Sequence, residues 1–281
     1  MNSSNIRRID SEKPEPDIIK EAAAIIRQGG VVAFPTRCLY GLGADALNSV
    51  ALDRVIRIKQ RPADKPILVL IDSPRRLKNL VTHVPPTADA FMQAFWPGRL
   101  TLVFEARATL PHPLTAGSKK IGIRIPGHAV ALALVKQAGS PITGTSANIS
   151  GHSGAHRVPD LDPQITTQVD MTLDGGTLKG GVGSTVIDVT EDPPRILRAG
   201  QISAEEIQDC LSDRFEQEET DAITGQPAQH DLDKFHQGAA ATTPSFPPVG
   251  NRRRGADRAN VQRCGVPDFR CRLSRLDDGR R

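Results

Sequence analysis

Apolar positions along residues 17 to 208 follow two alternating periods, and the switches between them divide the chain into elements. Ile18, Ile19, Ala22, Ile25 and Ile26 share one face at helical spacing, and Gly29-Gly30 supplies a C-cap. Val31 to Phe34 reads as a short buried strand. Helical spacing returns over Val50 to Lys59, with Leu52, Val55, Ile56 and Ile58 as the apolar set. The unbroken apolar run Ile67 to Ile71 reads as a core strand. Pro86 to Phe95 predicts a helix ended by Trp96-Pro97-Gly98. Leu100 to Phe104 and Ile121 to Ile125 alternate as strands, and Ala129 to Gln137 is a short helix. Val186 to Val189 and the stretch from Arg195 read as short strands. A last helix is expected over 203–211, with Ser203 as cap and Glu206 at the capping-box distance. This alternation predicts one α/β domain over 15–211. Residues 1–14 are polar and read as a flexible lead-in.

Beyond about residue 212 the pattern fails. An acidic stretch passes into Ala/Thr/Pro and then into an Arg-rich end, so 212–281 is expected to be a disordered tail. It reads either as a solvated tail or as a weak, salt-sensitive RNA contact. The tail also accounts for the basic character of the chain. Residues 249–281 carry ten Arg against four Asp, which leaves 26 cations against 28 anions elsewhere in a chain of net charge +4. The basic pI therefore says little about the partners of the folded part. Cys38, Cys210, Cys264 and Cys271 form no C-x-x-C pair, which argues against a zinc site or a disulfide framework. No apolar run is long enough to span a bilayer and the N-terminus lacks a signal core, so a cytoplasmic protein without a membrane partner is expected.

Candidate chemistry concentrates at the joints. Lys59-Gln60-Arg61-Pro62-Ala63-Asp64-Lys65-Pro66 places three cations at the lip of a core strand. If Lys59 to Arg61 is extended, both side chains point one way, which suits a polyphosphate; a solvated basic turn is the alternative. Arg124 stands between isoleucines and faces away from Ile121, Ile123 and Ile125. It is either an exposed residue or an anion clamp. Ser146 and Asn148 offer a hydroxyl and an amide that fit a phosphate or a ribose, or else a turn satisfying its own backbone. Gly180 to Gly183, followed by Ser184, forms a loop whose amides can cradle an anion, although no Gly-Lys-Ser/Thr occurs. Gly41-x-Gly43-x-x-Ala46 imitates a dinucleotide fingerprint, but the acidic residue such a site requires is missing. His152 and His156 have metal spacing without a convincing helix to present them.

Read in order, Val-Ala-Phe-Pro-Thr, Tyr-Gly-Leu-Gly, Lys59-x-Arg61-Pro, Phe95-Trp-Pro-Gly98, Ile123-Arg124-Ile-Pro, Ser146-x-Asn148 and Gly183-Ser-Thr-Val with Ile196-Leu-Arg resemble the YrdC/TsaC family of threonylcarbamoyl-AMP synthases. The resemblance covers residues 15–208. It implies a single YrdC-like α/β domain, a twisted mixed parallel/antiparallel sheet with flanking helices and a concave basic cavity. It also implies synthesis of threonylcarbamoyl-AMP and pyrophosphate from L-threonine, bicarbonate and ATP, for a transferase that modifies tRNA beside the anticodon. Lys59, Arg61 and Lys65 would clamp the triphosphate, with Mg²⁺ sharing the load and Lys59 and Arg61 as the catalytic pair. Ser146, Asn148, Gly154 and Arg198 would bind ATP; Thr36, Cys38, Arg124 and Ser184 would bind threonine. Members commonly read Pro-Thr-x-Thr where this chain reads Pro35-Thr36-Arg37-Cys38, which puts a thiol in the amino-acid pocket. An RNA-binding module of the same fold, or a paralogue using another amino acid, are the alternatives; a direct tRNA contact would fit either the synthase or the module.

Overall fold

A computed structural model describes residues 5–212, all within one compact unit. The mixed sheet expected from the resemblance comes as two mixed sheets. The first has the order β1-β9-β2-β3-β8, formed by β1 (Ile6–Arg8), β9 (Met171–Asp174), β2 (Val32–Pro35), β3 (Tyr40–Gly43) and β8 (Thr145–Ser146). The second has the order β11-β10-β5-β6-β4-β7, from β11 (Arg195–Arg198), β10 (Thr185–Asp188), β5 (Leu100–Glu105), β6 (Lys120–Arg124), β4 (Val69–Leu70) and β7 (Ile142–Thr143). Parallel pairs (β1 with β9, β5 with β10) sit beside antiparallel ones (β2 with β3, β5 with β6).

The helices are α1 (Pro16–Arg27), α2 (Ser49–Lys59), α3 (Pro86–Phe95), α4 (His112–Thr115), α5 (Ala129–Ala138), α6 (Pro163–Gln168) and α7 over 204–212. Helix α1 buries Ile19, Ala22, Ala23 and Ile26 in a cluster with Val130, Leu134 and Val135 of α5 and Val32 and Phe34 of β2. Two helices thus cover one face of the first sheet, and that burial, rather than propensity, holds them. Asn48 caps α2 by accepting from the Val50 and Ala51 amides at 3.0 and 3.2 Å. The helix stops at Gln60, whose φ of 48° is left-handed, immediately before Arg61-Pro62. The capping box of α7 forms as expected: Glu206 N donates to Ser203 Oγ at 3.1 Å and Ser203 N to Glu206 Oε2 at 2.8 Å.

Three expectations change. The lead-in is not free along its length, because β1 pairs with β9 in parallel and Ile9 is buried behind it. A three-residue strand has no period to read; an available strand edge recruits it. Only Val69–Leu70 of the apolar run is strand, while Ile67 and Ile71 give their amides to Leu114 and Arg124 carbonyls. Lys59 to Arg61 is not extended, because Lys59 ends α2 and the left-handed Gln60 turns the chain before Arg61. Residues 1–4 and the expected tail from 213 onward lie outside the described residues.

Candidate active site

Lys59 lies on the inner face of α2 and is only 2% exposed. Its Nζ donates to the backbone carbonyls of Ser146 and of Asn148, the latter at 2.8 Å. In return, Ser150 N donates to the Lys59 carbonyl at 2.7 Å. The end of α2 and the 146–150 segment are thereby locked together, main chain to side chain. Burial, and then the neighbouring Arg61 charge, pull the Lys59 ammonium down to about 8. Arg61 reaches back to the Lys65 carbonyl at 3.1 Å and the Pro66 carbonyl at 2.6 Å, folding 61–66 into a loop. Burial lowers its pKa, partly opposed by Asp64. Lys65 takes part through its main chain, its carbonyl accepting from Arg61 and its amide donating to the Pro62 carbonyl at 3.2 Å, and its side chain is exposed.

Asn148 does not project alongside Ser146. Its amide nitrogen donates to the Ile149 and His152 carbonyls at 2.8 and 2.7 Å, so the donor half of the side chain serves its own loop. The acceptor half is different: Asn148 Oδ1 is buried without a partner. The same segment borders a cavity of about 350 Å³ lined by Asn148, His152, Ser153, Asp160 and Pro163, among others.

A second group forms around Cys38, on the β2–β3 turn. Ile121 and Ile123 of β6 are buried while Arg124 faces the other way, half-buried. Burial lowers its pKa to about 10; Arg198 and Arg37 add to the effect, and Cys38 opposes it. Arg198 donates through Nε and Nη2 to the Ser184 carbonyl, and through Nη2 to Ser184 Oγ at 3.2 Å. The Ser184 hydroxyl also shares a 2.8 Å hydrogen bond with Thr101. Among the described residues, neither Arg124 nor Arg198 forms a carboxylate salt bridge, whereas Lys120 four positions before Arg124 pairs with Asp188 at 2.7 Å.

Strand β3 joins the two groups. Gly41 pairs with Ser146 of β8, Tyr40 N donates to the Ala155 carbonyl, and Ala147 N to the Tyr40 carbonyl. A Cβ on Gly154 would come within 2.7 Å of the end of the Leu39 side chain, so the loop lies closely against the Thr36–Leu39 turn and a larger residue would displace that leucine. Thr36 closes the turn itself, its hydroxyl donating to the Leu39 carbonyl at 2.6 Å. The glycines that imitate a dinucleotide motif lie within β3. A Cβ on Gly43 would meet the Phe34 ring at 2.9 Å, so packing accounts for that residue. His152 and His156 sit in loops, and the described residues hold no group of three or more His, Cys, Asp or Glu able to bind a metal ion.

Sequence reasoning missed two participants. Ser150 continues the period-two spacing of Ser146 and Asn148, and its Oγ is buried without a partner. Gln201 donates to Cys38 Sγ, and no sequence signal marked it. Five buried side-chain polar atoms lack a partner among the described residues, and three of them belong to this site: Arg124 Nε, Asn148 Oδ1 and Ser150 Oγ. Each such orphan costs on the order of 1–3 kcal/mol, a cost that a bound ligand can relieve.

Two groups of cations, bound to small-residue loops and forming no carboxylate salt bridge among the described residues, give this α/β fold the chemistry to hold anions. The chain belongs to the Sua5/YciO/YrdC family, whose model, described as telomere recombination, matches residues 24–200. It is 40% identical over 202 residues to the threonylcarbamoyl-AMP synthase of Pyrococcus abyssi, covering 72% of this chain and 59% of that one. The Bacillus subtilis threonylcarbamoyl-AMP synthase is 39% identical over 191 residues, covering 68% of this chain and 55% of the relative. A solved structure of P. abyssi Sua5 complexed with L-threonine superposes with a TM-score of 0.70 at 39% identity, over 73% of this chain and 60% of that one. The match thus spans little more than half the length of these curated relatives.

Proposed function

We propose that this chain makes L-threonylcarbamoyl-AMP and pyrophosphate from L-threonine, bicarbonate and ATP. The observation that carries the reading is the set of orphaned polar atoms, Arg124 Nε, Asn148 Oδ1 and Ser150 Oγ, divided between two cation groups that β3 holds together. One group suits a carboxylate and the other a nucleotide, whose phosphates can meet the cations and the Ser150 hydroxyl and whose own donors can meet Asn148 Oδ1.

The threonine amine captures carbon dioxide as a carbamate. A carbamate oxygen attacks the α-phosphorus of ATP, the bond to the bridging oxygen breaks, and pyrophosphate leaves with the electron pair. No covalent enzyme intermediate is needed, so the protein's work is orientation and charge stabilisation. Arg124 suits the threonine carboxylate, because a guanidinium can grip both oxygens. Ser184 and Cys38 lie beside it, and Thr36 shapes the turn that carries Cys38. Lys59 and Arg61 counter the charge developing at phosphorus, with Lys65 free to meet the outer phosphates. Ser146, Asn148, Gly154 and Arg198 would hold the nucleotide. Mg²⁺ would share the charge load of the triphosphate, held mainly by the phosphates themselves, since the described residues offer no cluster of three or more His, Cys, Asp or Glu.

In this reading the product passes to a transferase that places the threonylcarbamoyl group on tRNA, in the cytoplasm. No helix among the described residues is long and apolar enough to cross a membrane. The test is pyrophosphate release from ATP and bicarbonate, with each amino acid added or omitted, for wild type and Lys59→Ala. Release that requires threonine and bicarbonate, and collapses in the variant, is the expected result. Release with another amino acid instead makes the chain a paralogue with altered selection. No release from folded protein under any condition removes the synthase reading.

A further inference from the structure

The segment 179–184 enters the site with little to hold it. Among the described residues it makes no backbone–backbone hydrogen bond to the rest of the fold. Gly180 and Gly181 have φ of 65° and 92°, with open space where a Cβ would stand, and Val182 is 62% exposed. Its described fastenings are side chains: Arg198 on the Ser184 carbonyl, Thr101 on the Ser184 hydroxyl, and two groups on Val182 O. One of those two is the Cys38 thiol, at 3.5 Å. The other is Gln201 Nε2, at 2.8 Å, which also donates to Cys38 Sγ at 2.8 Å. Both N–H groups of a single amide thus bridge the loop and the thiol.

Gln201 itself stands on firm ground. Its carbonyl accepts from Arg99 Nη1 at 3.0 Å, and Ile202 exchanges hydrogen bonds with Thr185 Oγ1 at 2.9 and 3.0 Å. A Cβ on Gly200 would lie 2.4 Å from the Ser184–Thr185 backbone, so the chain before Gln201 is pressed against the start of β10. A rigid base, an amide and the Gly180–Val182 segment are therefore in series, with the amide as the link, while Ser184 has its own ties to Arg198 and Thr101.

We propose that Gln201 is a positioning residue of the amino-acid pocket. It straps the glycine-rich segment at Val182 to the Cys38 thiol and so fixes the wall of the pocket that carries that thiol. The inference rests on the synthase reading for what the pocket holds. It also gives the thiol at position 38 a partner: the sulfur here receives the strap.

Labelling tests the strap apart from catalysis. Iodoacetamide modification of Cys38, followed by peptide mass spectrometry with Cys210 as internal reference, reads how often the strap opens. In Gln201→Ala the Cys38/Cys210 rate ratio rises roughly 3- to 10-fold, the worth of one or two hydrogen bonds. Gln201→Glu keeps the side-chain length without the N–H donors and gives a rise at least as large. In both variants the threonine KM rises by a similar factor, while the ATP KM moves less than 2-fold, a split that general loosening would not give. A wild-type labelling ratio in both folded variants, or a rise in ATP KM equal to that for threonine, overturns the proposal. If the wild type releases no pyrophosphate with threonine, the synthase reading falls, and the labelling ratio still decides the strap.

Discussion

The two cation groups are built in opposite ways. Around Lys59 the cations are consumed by the fold: Lys59 donates to two backbone carbonyls and Arg61 to two more, so these charges shape the loops that surround them. Around Arg124 a guanidinium is buried beside Arg37 and Arg198, with its Nε unpartnered. In the first the cations are already partnered, although Asn148 Oδ1 and Ser150 Oγ beside them are not, and in the second the cation itself is held at a cost. Charge at a site thus has two distinct uses. A cation bonded to main chain sets geometry, whereas a cation buried among like charges stores affinity that an anion releases.

The largest expected effect falls at the first group. Lys59→Ala should lower kcat/KM by roughly 10²- to 10³-fold, the scale of losing one preorganised donor to a transition state. A loss under 5-fold would mean that Lys59 serves only the fold. Next comes Arg124→Met, which keeps bulk without charge. Threonine affinity by calorimetry should fall about 10- to 100-fold, as expected for charge-assisted hydrogen bonds.

Stability then separates the groups by sign. Without ligand, Arg124→Met should melt about 2–4 °C higher, since removing roughly 1 kcal/mol of unpaired buried charge shifts a domain of this size by that much. Lys59→Met should melt lower, because the Ser146 and Asn148 carbonyls lose their donor, at roughly 1–3 kcal/mol. Shifts of the same sign would erase the distinction drawn here.

A pH profile sharpens it further. The Lys59 pKa is lowered from 10.5 to about 8 in the folded chain. Below pH 8 both states are protonated and the burial cost is fully present. From there toward 10.5 the unfolded chain holds the extra proton, so this contribution to stability improves as pH rises. Activity moves the other way: kcat/KM should fall as the ammonium is lost above about pH 8. Bound triphosphate favours the charged form, so the basic limb of kcat should lie higher than that of kcat/KM. The basic limb should vanish in Lys59→Arg. The smallest effect is expected for Ser150→Ala, about 2- to 5-fold in ATP KM, by fluorescence titration or kinetics, if its orphaned hydroxyl meets the nucleotide.

Much of this was legible in the chain. The helical stripe of α1, the alternation that turns Arg124 away from Ile121 and Ile123, and the Ser203–Glu206 capping box all follow from local rules. A period or a cap involves neighbours a few residues apart, so sequence records it directly. Composition also separated the basic end of the chain from the near-neutral remainder, and the ordered motifs pointed to the family to which the chain belongs.

Tertiary structure decided the rest, wherever a residue's role depends on a distant partner. Whether Lys59 was a solvated cation or a buried strut turned on carbonyls 87 and 89 positions away. Only long-range pairing could recruit β1 to an edge offered by β9, or close β3 and β8 around the turn that carries Cys38. Gln201 shows the limit most sharply. It has no motif, period or charge, and its place depends on a thiol 163 residues earlier and on a loop that, among the described residues, makes no main-chain hydrogen bond to the rest of the fold. Local chemistry sets which groups a segment can offer. The closure of the fold sets which of those groups are left for a ligand.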